Sequence, residues 1–79
     1  MADKIITLDK LEMGQRGTVK TLNNKASLKE RLMDIGLVLG ASVECVLISP
    51  LYDPKAYLIC GAVIAIRNED AANIEVVLR

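Results

Sequence analysis

A small β barrel carrying one short helix is the fold class that this 79-residue chain predicts. Three observations predict it. Short runs rich in β-branched and aliphatic residues recur along the chain, each bounded by Gly, Pro or Asn. One segment only, Ser27 to Leu37, combines a helical apolar spacing with start and stop signals. The chain is also too short for a two-layer sandwich, so about five short strands have to curl round one core. The expected order is strand, helix, three-strand meander, one turn of helix and a final strand. Residues 1–79 read as a single domain.

Residues 1–16 open with an apolar stretch, Ile5, Ile6, Leu8, Leu11 and Met13, and close on a turn at Gly14. Gly17 to Leu22, with Thr18, Val19 and Thr21, reads as the first strand. The polar link Asn23 to Ala26 leads into a helix over 27–35. Ser27 followed by Glu30 has the spacing of a capping box, and Leu28, Leu32 and Ile35 form one apolar stripe. Gly36 supplies a left-handed stop, after which Leu37 folds back over the stripe. Residues 42–49 form the next strand, with Val43, Cys45 and Leu47 on one face and Glu44, Val46 and Ile48 on the other. Pro50 to Pro54 is a loop, because proline cannot donate to a ladder. Strands follow at 56–60 and 62–67 around Gly61. Asn68 is expected to cap a single helical turn through Asn73, with Glu69 and Asp70 in its first turn. Residues 74–78 close the fold as the last strand.

Composition removes several function classes. Ten basic and ten acidic residues cancel, which argues against binding nucleic-acid phosphates. There is no Phe or Trp to stack on bases. Histidine is absent, and with it the usual general base and the commonest transition-metal ligand. No apolar run approaches the ~20 residues of a membrane span, and Met1 to Lys4 lacks signal-peptide architecture. A cytoplasmic location is therefore expected, with Cys45 and Cys60 as reduced thiols. No Gly-rich phosphate loop and no Ser or Cys beside a base is present, so the chain does not read as an enzyme.

Ordered motifs point further. Arg31-Leu32-x-Asp34-x-Gly36-Leu37-x-x-Gly40, then Asp53-Pro54, then Gly61-x-x-Ile64-Ala65-Ile66-Arg67, then Glu69-x-Ala71-x-x-Ile74-x-Val76 follow one another from about Leu8 to the C-terminus. The set resembles the FeoA family, ferrous iron transport protein A. The resemblance implies an SH3-like barrel. It also implies a non-enzymatic cytosolic accessory of bacterial ferrous iron uptake, whose partner is the FeoB membrane transporter with its G domain. A place at the inner membrane through that partner follows. A related SH3-like domain closes iron-dependent repressors, so a transition-metal-binding regulatory module is the alternative. Two residues depart from the family pattern: Leu39 stands where proline is common, and Tyr52 where glycine often precedes Asp-Pro. Both make the surface more apolar.

The candidate sites each have an ordinary reading beside a functional one. If Ser49 lies opposite Ala56, Cys45 falls opposite Cys60, and two thiolates side by side suit a soft metal ion. Burial as small core residues is the favoured alternative. Glu30 with Asp34, and Glu69 with Asp70, offer weak contacts to Fe²⁺ or another transition metal, but capping explains them as well. No tightly bound cofactor is expected. Arg31 is either an arginine finger toward a GTPase partner or, by preference, half of a helix-surface ion pair with Asp34. Arg16, expected in a turn, and Arg67, at a strand end, are weaker candidates. The basic stretch Arg16, Lys20, Lys25, Lys29 and Arg31 suits an acidic surface, an anionic leaflet or plain solvent. The leading expectation is a docking surface formed by Arg31 and Asp34 on the helix, the Leu37-Val38-Leu39 turn and the Leu51-Tyr52 loop. Its rival is that these aliphatic residues cap the open end of the barrel. A homo-oligomer is the other arrangement such a surface would serve.

Overall fold

The computed structural model describes residues 4–79. The strands are β1 (Ile5–Thr7), β2 (Arg16–Leu22), β3 (Ser42–Ile48), β4 (Lys55–Ile59), β5 (Ala62–Ile66) and β6 (Ile74–Leu78). The helices are α1 (Ala26–Asp34), between β2 and β3, and the single turn α2 (Asn68–Ala71), between β5 and β6. All six strands join one antiparallel sheet in the order β1-β6-β2-β3-β4-β5. The mainly β, one-helix-plus-one-turn architecture is the expected one. The strand count differs by one: Ile5 to Thr7, which read only as an apolar stretch, pairs with β6 as Ile5 to Val77 and Thr7 to Glu75. Three residues are too few to show a period of two, so only the partner strand reveals them as β.

Two bulges bend the sheet round its core. The register of β2 against β6 slips between Val19 and Thr21, and that of β3 against β4 slips between Cys45 and Leu47. An extra residue on one strand sharpens the local twist and lets a short strand turn a corner. Tyr57 and Ile59 of β4, Val43 and Cys45 of β3, and Ile74 and Val76 of β6 are then wholly buried on the inner face. The short 3-10 turn Leu8–Lys10 and the residue after it plug the core with Leu8 and Leu11. No polar or charged residue is buried among the described residues. The Tyr57 hydroxyl is the polar tip that reaches furthest in, and it donates to the Leu8 carbonyl at 3.3 Å.

The second bulge also decides what faces water. Beyond it Leu47 turns outward and Ile48 packs against the core, the reverse of simple alternation along residues 42–49. The register of β3 against β4 also keeps the cysteines apart. Cys45 lies opposite Tyr57, and Cys60 sits beyond the end of β4 in the turn to β5. The side-by-side thiol pair required Ser49 opposite Ala56, but Leu47 holds that position. Cys45 is buried and Cys60 exposed.

Helix α1 ends as its sequence implies and begins differently. Gly36 has φ +102°, its N–H donates to the Met33 carbonyl, and the Leu37 N–H donates to the Leu32 carbonyl. This is the paired hydrogen-bond pattern of a glycine helix stop, and it folds Leu37 into the core. At the start, Lys25 is the cap residue, its carbonyl receives the Lys29 N–H, and no side chain caps the end. Ser27 and Glu30 therefore lie within the exposed face of the helix and form no capping box. The residue before the cap ties the helix start to α2: the Asn24 side-chain amide donates to the Asp70 carbonyl.

Candidate functional site

Two loops and one groove collect the residues that the sequence singles out. The β3–β4 loop is fastened to α2. The Asp53 carboxylate accepts the Asn68 N–H at 2.9 Å, and the Asn68 amide donates to the Tyr52 carbonyl. An aspartate from a distant loop thus supplies the side-chain cap of α2, the role expected of Asn68 itself. The loop holds Leu51 and Tyr52 out in solvent, at 85% and 69% exposure.

The turn after α1 is split between core and surface. Leu37 is fully buried, Val38 is 37% exposed and Leu39 is 66% exposed. Gly40 donates to the Val19 carbonyl and Ala41 to the Val38 carbonyl, which fixes this turn at the start of β3. The Leu51-Tyr52 loop leaves the other end of β3, about 20 Å away at the usual rise per residue. The expected docking surface is therefore two separate exposed patches, and Leu37 belongs to neither. Leu39 instead shares a shallow groove of about 210 Å³ with Met33 of α1 and Leu22 of β2, rimmed by Lys20 and Lys29.

A larger groove lies on the other side of α1. Leu28 and Leu32 face Ile64 and Ile66 of β5 across an open groove of about 270 Å³. Arg31 from the helix and Arg67 after β5 stand at its rim, with Asp70 as its acid. Arg31 forms no ion pair with Asp34. The one ion pair among the described residues is Arg16 Nε to Glu44 Oε1 at 3.0 Å, which places Arg16 at the head of β2 rather than in a turn. The two groove arginines thus keep their donors for a ligand. Nothing in the sequence signals this pairing, because Arg31 and Arg67 meet only through the packing of α1 against the sheet edge.

Burial governs the titrating groups of the interior. Removal from water raises the Cys45 thiol above its ordinary value, with Lys55 pulling weakly the other way. Burial raises the Tyr57 phenol well above 10, and nearby Cys45, Asp9 and Asp53 add to it. Lys55 is tied down by donating its ammonium to the Asp9 carbonyl. Among the described residues no cluster of three or more Cys, Asp or Glu side chains could hold a metal ion. No helix of the described residues is long and apolar enough to cross a membrane.

The FeoA domain family matches residues 6–78. This chain belongs to the FeoA family. A Porphyromonas gingivalis fusion of Fe²⁺ transport protein A with the Fe²⁺ transporter FeoB is 32% identical over 71 residues, 90% of this chain. The chain spans 8% of that fusion's length. The solution structure of FeoA from Chlorobium tepidum superposes with a TM-score of 0.89 at 32% identity, covering 92% of this chain and 70% of the other. The zinc complex of Stenotrophomonas maltophilia FeoA, described as a prokaryotic SH3-domain protein, has a TM-score of 0.76 at 24% identity and covers 94% and 89% of the two chains. The fold of the present FeoA-family chain is thus SH3-like.

Proposed function

We propose that this chain is a non-enzymatic accessory of ferrous iron uptake that docks on an FeoB-type transporter and modulates it. The observation that carries the reading is the P. gingivalis fusion, in which a stretch 32% identical to this chain shares one polypeptide with FeoB. Two domains kept on one chain have a very high effective concentration, which suits an interaction too weak to persist between free proteins. Exposed Val38, Leu39, Leu51 and Tyr52, with Arg31 and Asp34 on the outer helix, are side chains able to form such a contact. Apolar surface of this kind adds little to the stability of a lone domain and gains its energy when water is excluded by a partner.

The test is co-purification of the 79-residue chain with the cognate transporter. Val38→Asp and Leu39→Asp should weaken capture at least about tenfold, equivalent to roughly 1.4 kcal/mol, while leaving the thermal midpoint nearly unchanged. Unaltered capture by both variants would remove the Val38–Leu39 patch from the interface. GTP hydrolysis by the transporter, measured with and without the chain, tests the modulating role. An Arg31→Ala variant that retains the full effect would exclude Arg31 as an arginine finger.

A further inference from the structure

The groove between α1 and β5 has an unmet hydrogen-bonding edge along one side. β5 is an edge strand, paired only with β4. The two-residue turn at Cys60 and Gly61, both at positive φ, makes Ile59 and Ala62 a hydrogen-bonded pair. Alternation then makes Tyr57 with Ile64, and Lys55 with Ile66, the next such pairs. Val63 and Ala65 fall between them. Their N–H and C=O groups point away from β4, and among the described residues no backbone or side-chain group meets any of the four.

Soluble proteins blunt such edges with a Lys, a Pro, a bulge or a covering helix, and α1 stands across a groove from this edge without closing it. β5 reads Ala-Val-Ile-Ala-Ile and has none of these. The other edge, β1, is three residues long and follows Lys4. Beside the open edge stand the apolar floor of Leu28, Leu32 and Ile64 and the two arginines, with Asp70 the single acid against them. The site therefore combines backbone donors and acceptors, an apolar strip and a net positive rim.

We infer that β5 accepts an added strand from a partner protein: an extended segment with alternating apolar side chains and at least one Asp or Glu, whose carboxylate meets Arg31 or Arg67. Main-chain pairing to Val63 and Ala65 supplies affinity, and the carboxylate supplies register. A second copy of this chain does not fit the charge. Residues 60–67 contain no acid, so pairing β5 with β5 brings no carboxylate to either arginine. This deepens the docking reading above and rests on it for the identity of the partner, though not for the site.

The test is a titration of the ¹⁵N-labelled full chain with a peptide of about nine residues, strand length, alternating valine with glutamate and threonine. A matched peptide carries lysine in place of glutamate. The acidic peptide should shift the amides of residues 62–67 and 28–35 and slow hydrogen exchange at Val63 and Ala65. The lysine peptide should bind at least about tenfold more weakly. Ala65→Pro removes one outward N–H without touching a bond to β4, and should weaken binding about tenfold or more. Val63→Lys, a milder edge charge, should do so too, and paired Arg31→Glu and Arg67→Glu should abolish the preference for glutamate. Equal binding of both peptides overturns the proposal. So do shifts on β5 that grow with protein concentration alone, since they report self-pairing. A parallel titration with the detergent-solubilised transporter separates the two readings. Binding that shifts Val38 and Leu39 but not β5 overturns the edge proposal and leaves docking intact. Peptide binding as described, with no transporter binding, supports the edge and removes the docking partner.

Discussion

Gly36 and Tyr57 show how much single positions carry in a core this small. Gly36 sits at φ +102°, where a side chain is strained, and an added Cβ would lie 2.7 Å from the Cys60 sulfur. Gly36→Ala should therefore lower stability by about 1–2 kcal/mol or more, read as a drop in the urea midpoint with an unchanged slope. Tyr57→Phe removes one of two donors to the Leu8 carbonyl, which keeps the Leu11 N–H, and should cost about 1 kcal/mol at neutral pH. Its pH dependence is more diagnostic. Both Tyr57 and Cys45 have raised values in the fold, so below pH 9 their protons are held in folded and unfolded chains alike and their contribution is complete. Above pH 9 to 10 the unfolded chain releases those protons first, and stability is lost as pH rises. The melting temperature of the wild type should fall between pH 8 and 11 more steeply than that of Tyr57→Phe. Parallel curves would show that the buried phenol is not the titrating group.

At the level of elements, local signals were legible in the sequence and non-local ones were not. The helix stop at Gly36, the inward turn of Leu37 and the strands from β2 to β6 follow from residues adjacent in the chain. The capping box failed because Ser27 and Glu30 compete with a start one residue earlier, held by Asn24 reaching across to Asp70. The thiol pair failed because the loop runs from Ser49 to Pro54, so that Leu47 rather than Ser49 meets Ala56, and the bulge in β3 then shifts the pairing one residue further. The groove and its two arginines lay beyond sequence reasoning because α1 and β5 are brought together only by the tertiary fold. The cap on α2 is another contact of this kind, and it makes a prediction. Asp53→Ala should cost about 1 kcal/mol and raise hydrogen exchange at the Asn68 to Ala71 amides together with that of Tyr52. Asp53→Asn should restore most of the protection, because an amide oxygen caps nearly as well. Loosening confined to the loop would mean that the Asp53 contact does not hold α2.

Across the whole molecule, a neutral chain distributes its surface unevenly. Val38 with Leu39, and Leu51 with Tyr52, form exposed patches at opposite ends of β3, and two unpaired arginines, Arg31 and Arg67, meet at one groove. That layout favours contact with protein over capture of a metal ion. Under reducing conditions, calorimetric titration with Fe²⁺, Mn²⁺ or Zn²⁺ should yield only weak, unsaturating heat, since Cys45 is enclosed, Cys60 stands alone in its turn and no third ligand clusters with either. Saturable binding at one equivalent would favour the regulatory alternative, and its loss in Cys60→Ser would locate the ligand.

The last ladder bonds have a consequence for how the domain can be mounted. The Leu78 N–H donates to the Lys4 carbonyl and the Arg79 N–H to the Arg16 carbonyl, so the two described ends of the polypeptide emerge side by side where β6 lies between β1 and β2. Neither end passes along β5. The unit can therefore be joined to a longer protein through both ends at one place, like a pendant on a single clasp.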